Sequence, residues 1–234
     1  MKTSFVLSVL LAVAAARDIT QSARPQKRHN RTLGKRQVPQ EQSHKKYLTD
    51  CQEALQLDNP EGIVDPVFGL LGAAAAAEGA GTITDTDCLQ QATADRAFTN
   101  AKAAGNVDLM VSALVYRALE RNTLSVGEAS KPCTSIQAVN PEIAAIQQHQ
   151  DPASDGAAAI NKAITLELAR QIASIGGDPL LALESGTFAP GEIGDPTAAG
   201  NTCNDADDAV GCIFTQGLLV EEATAEEIAE AIAG

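Results

Sequence analysis

Aromatic residues are scarce in this chain of 234 residues, which has no Trp, two Tyr and five Phe. Because 44% of its residues are nonetheless apolar, any core has to be built mainly from Ala, Leu, Ile and Val. Basic residues are also few, with 17 Lys and Arg against 30 Asp and Glu. The formal net charge of −13 argues against a nucleic-acid or anionic-lipid partner, since both attract basic surfaces.

Catalytic and cofactor-binding motifs are absent as well. The sequence contains no G-x-S-x-G elbow, no H-E-x-x-H zinc motif and no P-loop, and its cysteines show no C-x-x-C spacing. We expect His44 and His149 to be ordinary surface residues. The sequence therefore predicts no catalytic residue, no cofactor and no metal site, and a protein that is not an enzyme.

The one hydrophobic run typical of a targeting signal lies at the N-terminus. Lys2 precedes an apolar stretch over residues 5–13, and Ala14, Ala15 and Ala16 then supply the small residues that a signal peptidase reads. A membrane anchor is the alternative, but the run is shorter than the about 20 apolar residues that span a bilayer. We therefore predict a signal peptide over residues 1–16.

Residues 17–36 form a basic segment with a single acidic residue, Asp18. It lacks hydrophobic periodicity and ends in the dibasic pair Lys35-Arg36, which predicts a disordered pro-segment cleaved after Arg36. The first 36 residues hold eight of the 17 basic and one of the 30 acidic residues, so the remainder has nine basic and 29 acidic residues, a net charge of −20. A charged C-terminal end predicts no lipid anchor. We expect a secreted product, located outside the cell or in the cell wall.

Helical periodicity dominates residues 37–234, the predicted single mature domain. Apolar residues from Ile160 to Ile175 recur every three or four positions between Gly156 and Gly176, and a second helix is predicted from Asp108 to Arg121. Start and stop signals predict further helices over residues 43–57 and 92–104, after Asn140 and Asp178, and after the capping box at Thr224. Since alternation of period two is rare, we predict an all-α fold, a compact helical bundle.

Two segments fit this pattern less clearly. Residues 69–81 combine an Ala run with flanking Gly, which favours a buried helix over a mobile linker because Ala is the best helix former. Residues 186–217 hold Pro190, Pro196 and several Gly without helical periodicity, which predicts a long loop near the C-terminus.

All five cysteines lie in the mature part, so two disulfides and one free thiol are expected in an oxidising compartment, with 15 connectivities open. We favour Cys203–Cys212, which would pin the long loop, then Cys51–Cys88, with Cys133 unpaired. Acidic and amide residues also gather in this loop, around Asp205, Asp207 and Asp208. Calcium would suit such oxygen ligands, but the spacing is not that of an EF-hand, and a solvated acidic turn is the favoured interpretation.

Two stretches of the sequence resemble a known family. Residues 156–179, which begin GAAAINK and end GGDP, and residues 186–224, which begin GTFAPGEIGDPTAAGNTC, are similar to small secreted cell-wall and spore-surface proteins of filamentous fungi, of the conidial cell wall protein type. The resemblance is looser over residues 47–121 and supplies no catalytic motif. It implies a location at the fungal wall or spore surface.

These observations predict a secreted, non-enzymatic structural or surface-coat protein of the fungal cell wall or spore surface. Its candidate partners are wall polysaccharide or wall protein, with no nucleic acid and no membrane anchor. The alternative is a secreted effector or a module that binds a small apolar ligand, because wide apolar helix faces with small side chains are able to enclose a cavity.

Overall fold

The computed structural model describes residues 42–234, which form eight α-helices and three short 3-10 helices. Within this range, extended structure is limited to an isolated antiparallel bridge between Thr187 and Val220. The all-α prediction is thereby confirmed. The predicted signal peptide and pro-segment, with Ala16, Lys35 and Arg36, lie outside the described residues. The α-helices are α1 (Lys45–Gln56), α2 (Ala73–Ala76), α3 (Leu89–Ala104), α4 (Val107–Ala118), α5 (Pro141–Ala144), α6 (Ala157–Ser174), α7 (Cys212–Thr215) and α8 (Ala225–Ala233).

Helix α4 is the centre of the bundle and packs against α1, α3 and α6. Every residue from Leu109 to Ala118 is buried, as its wide apolar face requires. Gly105 ends α3 in the left-handed conformation with φ of 66°, and the Asn106 side chain then caps α4 by accepting the Leu109 N–H at 3.1 Å. The sequence Gly-Asn thus turns the chain from one long helix directly into the next.

Small side chains replace aromatic bulk in the main core. Alanines of α3 and α4 are fully buried and let these helices approach closely: Ala94, Ala97, Ala101, Ala113 and Ala118. Tyr116, also fully buried, donates its hydroxyl hydrogen to the Pro66 carbonyl at 2.6 Å, so its polar group has a partner inside the core. A second, smaller cluster lies around Leu55, Ile63 and Leu89.

The Ala-rich segment differs from the prediction of one buried helix over residues 69–81. It contains only the four-residue α2, preceded by a 3-10 helix over Pro66–Leu70. Glycine explains the interruption, because a Cβ on Gly81 would lie 2.1 Å from the Glu61 carbonyl and one on Gly79 would overlap the Phe68 ring at 2.1 Å. Close chain crossings, rather than helix propensity, decide the path here.

Residues 186–211 form a segment that contains no helix. Both ends of this segment contact the chain at the start of α1. His44 contacts the carbonyl of Gly186 at its start, and the Lys46 N–H donates to the Val210 carbonyl at its end, at 3.1 Å. Gly211, with φ of 120°, lies so close to Ser43 that a Cβ would be 2.1 Å from the Ser43 carbonyl oxygen. The predicted loop over residues 186–217 is therefore too long, since α7 begins at Cys212.

Helix α8 closes the bundle against α6. The predicted capping box is present, with the Thr224 hydroxyl accepting the Glu227 N–H and the Glu227 carboxylate accepting the Thr224 N–H. Glu227 also pairs with Lys162 of α6 at 2.8 Å, and Arg170 donates to the Ala231 carbonyl near the other end of α8. No helix within residues 42–234 is both long and apolar enough to cross a membrane.

Candidate functional site

An open cleft of the described surface has a volume of about 270 Å³ and lies between the start of α2 and the segment that follows α4. Gly72 and Ala73 form one side, and residues 121–124 and 128–131 form the other, with Asp87 at the base of α3. We call this the Arg121 cleft. Its volume is just below the range of about 300–1,000 Å³ typical of small-molecule sites.

Arg121 holds the walls of this cleft together. The guanidinium is nearly buried, and its Nη1 donates to the carbonyls of Asp87 and Lys131, each at 3.0 Å. Its Nη2 donates to the Asp87 carboxylate at 3.2 Å and to the Thr86 carbonyl at 3.3 Å. One side chain therefore links the chain just after α4, the start of α3 and the segment near residue 131.

Leu124 forms the ridge of the cleft in a conformation that bulky residues rarely adopt. Its φ is 68°, and its side chain packs on Gly72, where an added Cβ would lie 3.1 Å from the Leu124 Cγ. Hydrogen bonds enforce the turn, since Asn122 Oδ1 accepts the Leu124 N–H at 2.8 Å and Thr123 Oγ1 donates to the Ser125 carbonyl at 2.9 Å. Backbone strain of this kind persists where surrounding contacts impose it, and it is concentrated at functional sites.

A second, smaller cleft of about 30 Å³ lies on the other side of the same turn and shares Asn122 and Thr123 with the first. Ala198, with φ of 52°, lines it together with Glu120 and Asp151. Leu124 and Ala198 are the two non-glycine residues with positive φ in the described part of the chain, and each lines one of these clefts.

His44 and His149 are both buried, so the expectation of two surface histidines is wrong. His44 Nε2 lies 3.2 Å from the Gly186 carbonyl and His149 Nδ1 lies 2.8 Å from the Ser185 carbonyl. A carbonyl only accepts, so each of these nitrogens carries the hydrogen. The opposite nitrogens then accept from hydroxyls, His44 Nδ1 from Ser43 at 2.9 Å and His149 Nε2 from Thr165 at 3.2 Å. The two histidines are thus neutral rings of opposite tautomer, and they donate hydrogen bonds to the consecutive carbonyls of Ser185 and Gly186.

Burial sets the protonation state of these rings. Desolvation is the largest cause that lowers the pKa of His44 to about 3; the neighbouring His149 and Lys46 act in the same direction, and the bond to Gly186 acts against them. Desolvation likewise lowers the pKa of His149 to about 4. Both rings are therefore neutral at pH 7 and serve as internal hydrogen-bonding groups.

Arg117 is a further polar residue of the interior. It is 1% exposed, and its Nη1 donates to Gln148 Oε1 at 3.2 Å, while its Nε and Nη2 have no hydrogen-bond partner within residues 42–234. Burial and, to a smaller extent, the charge of Arg121 lower the pKa of Arg117 to about 10. The sequence of α4 indicates a wide apolar face, and this pattern did not predict that Arg117 would be a buried cation within it.

The structure joins Cys203 to Cys212, the pair that we favoured, and Cys88 to Cys133. The predicted pair Cys51–Cys88 is wrong, and so is the prediction that Cys133 is unpaired. Helical phase is the reason, because Cys51 shares the inward face of α1 with Tyr47 and Leu48 and its thiol is buried in the main core. Burial raises the pKa of this thiol well above its ordinary value. Cys133 instead approaches the start of α3, with a Cα–Cα distance of 4.5 Å to Cys88.

The acidic loop uses its carboxylates to shape its own backbone. Asp195 accepts the N–H groups of Thr197 and Gly200, and Asp208 accepts those of Val210 and Gly211, which together with hydroxyl contacts lower the pKa of both carboxyls. Among residues 42–234, no three His, Cys, Asp or Glu side chains lie close enough to share a metal ion. Asp195 and Asp208 thus accept hydrogen bonds from the turns of their own loop.

The residues of the Arg121 cleft were not predicted as a site. The only local signal is the turn chemistry of Asn122 and Gly127 around Leu124, which marks a loop and says nothing of what the loop faces. Comparison of the chain with family models, with curated proteins and with solved structures found no match.

Proposed function

We propose that this protein is a secreted, non-enzymatic coat protein of the fungal cell wall or spore surface. The observation that carries the proposal is the pair of disulfides, Cys88–Cys133 and Cys203–Cys212, in a chain whose first residues have the pattern of an export signal. Disulfides persist in oxidising compartments and are rare in the cytosol. The resemblance to fungal wall proteins supplies the location.

Disulfides also suit the physical demands of such a location. A chain with an Ala-rich core buries little area for each contact, so covalent cross-links contribute a large share of its stability. In the chain-entropy model, the 45-residue separation of Cys88 and Cys133 corresponds to about 4 kcal/mol, and the nine-residue separation of Cys203 and Cys212 to about 3 kcal/mol. A protein held outside the cell gains lasting resistance to unfolding from both.

Surface charge supports a solvated coat. Removal of the basic leader would leave 29 acidic and nine basic residues, and many of the acids are exposed, among them Glu221, Glu226 and Glu230 at the C-terminal end. Strong net charge of one sign favours solubility and repels anionic surfaces. Such a surface suits a wall layer rather than a nucleic-acid or membrane partner.

A non-catalytic role is supported by how the histidines are used. Acid–base catalysis requires a group that exchanges protons with a substrate near the working pH. Both nitrogens of His44 and of His149 are occupied by internal partners, and burial keeps both rings neutral. These side chains build the fold instead.

The alternative of an apolar-ligand carrier finds no support in the enclosed cavity beside His44. That cavity is lined partly by Leu70, Leu119 and Phe188, but its volume is about 10 Å³, which is room for one water molecule. We therefore favour the coat protein.

Fractionation of fungal cultures tests the proposal. Culture fluid, wall and cytosol are separated, and the protein is detected with an antibody and mapped as peptides without reduction. We expect it in the wall or fluid, beginning at Gln37, with both disulfides formed. Recovery from the cytosol alone, still beginning at Met1 and with free thiols, would contradict it.

A further inference from the structure

The Arg121 cleft is balanced in charge on a strongly acidic protein. It is lined by two acidic residues, Asp87 and Glu128, and by two basic residues, Arg121 and Lys131. Asp87 and Arg121 pair with each other at 3.2 Å. The remaining two charges cancel, so the cleft attracts neither anions nor cations by its net charge.

Glu128 and Lys131 are the groups in the cleft that remain free to bind. Both are exposed, and neither has an ion pair or a side-chain hydrogen bond to any part of the chain that the structure describes. A carboxylate offers acceptors and an ammonium group offers donors. Together the two residues supply both the acceptor and the donor that a hydroxyl group needs.

The apolar side chains of the lining are mostly small. Leu124 is the one large apolar side chain in the cleft, and the other apolar residues of its lining are Gly72, Ala73 and Ala129. An apolar molecule would desolvate the charged rim and gain little contact area in return. A ligand rich in polar groups keeps those groups hydrogen-bonded.

The cleft is also formed in advance of binding. Arg121 links its walls, the disulfide Cys88–Cys133 ties together the segments that supply Asp87 and Lys131, and the turn at Asn122 holds Leu124 in its strained conformation. A rigid site spends little free energy on ordering when it binds.

We infer that the Arg121 cleft binds a neutral polysaccharide, one sugar unit at a time, whose hydroxyl groups donate hydrogen bonds to the Glu128 carboxylate and accept them from the Lys131 ammonium group. This inference rests on the proposed function, since the wall supplies the polymer. Neutral glucan and chitin share the required chemistry, and the experiment distinguishes them.

The test is an NMR titration of the purified, ¹⁵N-labelled protein with a glucose hexasaccharide and, separately, with an N-acetylglucosamine hexasaccharide. We expect amide shifts confined to residues 72–73, 87 and 121–131 with at least one of the two. Glu128→Ala and Lys131→Ala should each raise the Kd about tenfold, as loss of a hydrogen bond to a charged group does. Glu53→Ala is the matched control, because Glu53 is an exposed carboxylate of α1 outside the cleft, and its Kd should not change.

Absence of cleft shifts at millimolar concentrations of both sugars would overturn the inference, as would shifts seen only with a cationic glucosamine oligomer. Equal weakening by Glu53→Ala would also overturn it, because binding would then follow general surface charge. Failure here leaves the coat proposal standing if fractionation finds the protein in the wall. If the protein is found only in the cytosol but still binds the sugars, the coat proposal is refuted and the binding inference stands.

Discussion

Lowering the pH from 7 to 5 is expected to destabilise the protein by about 4 kcal/mol, because its two buried histidines resist protonation. In the unfolded chain each imidazole takes up a proton near its ordinary pKa of 6.5, whereas burial lowers the pKa to about 3 for His44 and about 4 for His149. The unfolded state therefore binds more protons below pH 6.5, and the free energy of unfolding falls as the pH decreases. Each ring contributes up to about 1.4 kcal/mol for each pH unit.

Between pH 7 and pH 5, the change in the free energy of unfolding comes mainly from the two histidines. Carboxyls whose pKa is lowered in the folded state, such as Glu61 beside Arg96 and Glu227 beside Lys162, lose their contribution only below their unfolded values, near or below 4.5. A loss of about 4 kcal/mol is a large part of the about 5–15 kcal/mol typical of a whole domain. The effect should thus be unmistakable.

Urea unfolding, followed by far-ultraviolet circular dichroism at pH 7, 6 and 5, measures this effect. His44→Gln and His149→Gln should each reduce the pH dependence by about half, whatever they do to the stability at pH 7. All variants are made in the uncleaved chain that keeps residues 17–36. His29→Gln is then the matched control, because His29 lies in the predicted pro-segment and its change should leave the dependence intact. A free energy of unfolding that is constant from pH 7 to pH 5 would refute the reasoning, and so would a full slope in the double variant His44→Gln/His149→Gln.

Three further changes probe the fold. In thermal unfolding, Gly211→Ala should destabilise the protein by more than about 2 kcal/mol and Gly217→Ala by about 1 kcal/mol. Both glycines have positive φ, but only a Cβ at Gly211 would meet the Ser43 carbonyl. Equal effects of the two substitutions would contradict the close approach of Gly211 to Ser43. Iodoacetamide should label Cys51 only after unfolding, because the thiol is fully buried. Mass spectrometry detects the label, and rapid labelling of the native protein would refute the buried position of Cys51. Thr224→Ala should cost about 1 kcal/mol by removing the cap of α8, and an unchanged denaturation midpoint would count against the capping box.

Most of the secondary structure follows from the sequence because its signals are local. The Gly105-Asn106 turn and the Thr224 capping box act within four residues, and both appear in the structure where the pattern predicted a helix boundary. The all-α prediction succeeded for this reason. The prediction for the Ala-rich segment failed because Gly79 packs on the Phe68 ring and Gly81 on the backbone of residues 61–62, which no local pattern reports.

Contacts between distant segments decided the rest. His44 looked like a surface residue beside Lys45 and Lys46, but the chain near Gly186 folds over it and removes it from water. Composition and periodicity therefore determined the charge, the helices and the cysteine count, since these depend on neighbours in the chain. Only the tertiary structure decided the partner of Cys88, the set of buried polar groups, and the cleft that Arg121 and Leu124 line. Each of these depends on packing between segments that lie far apart in sequence.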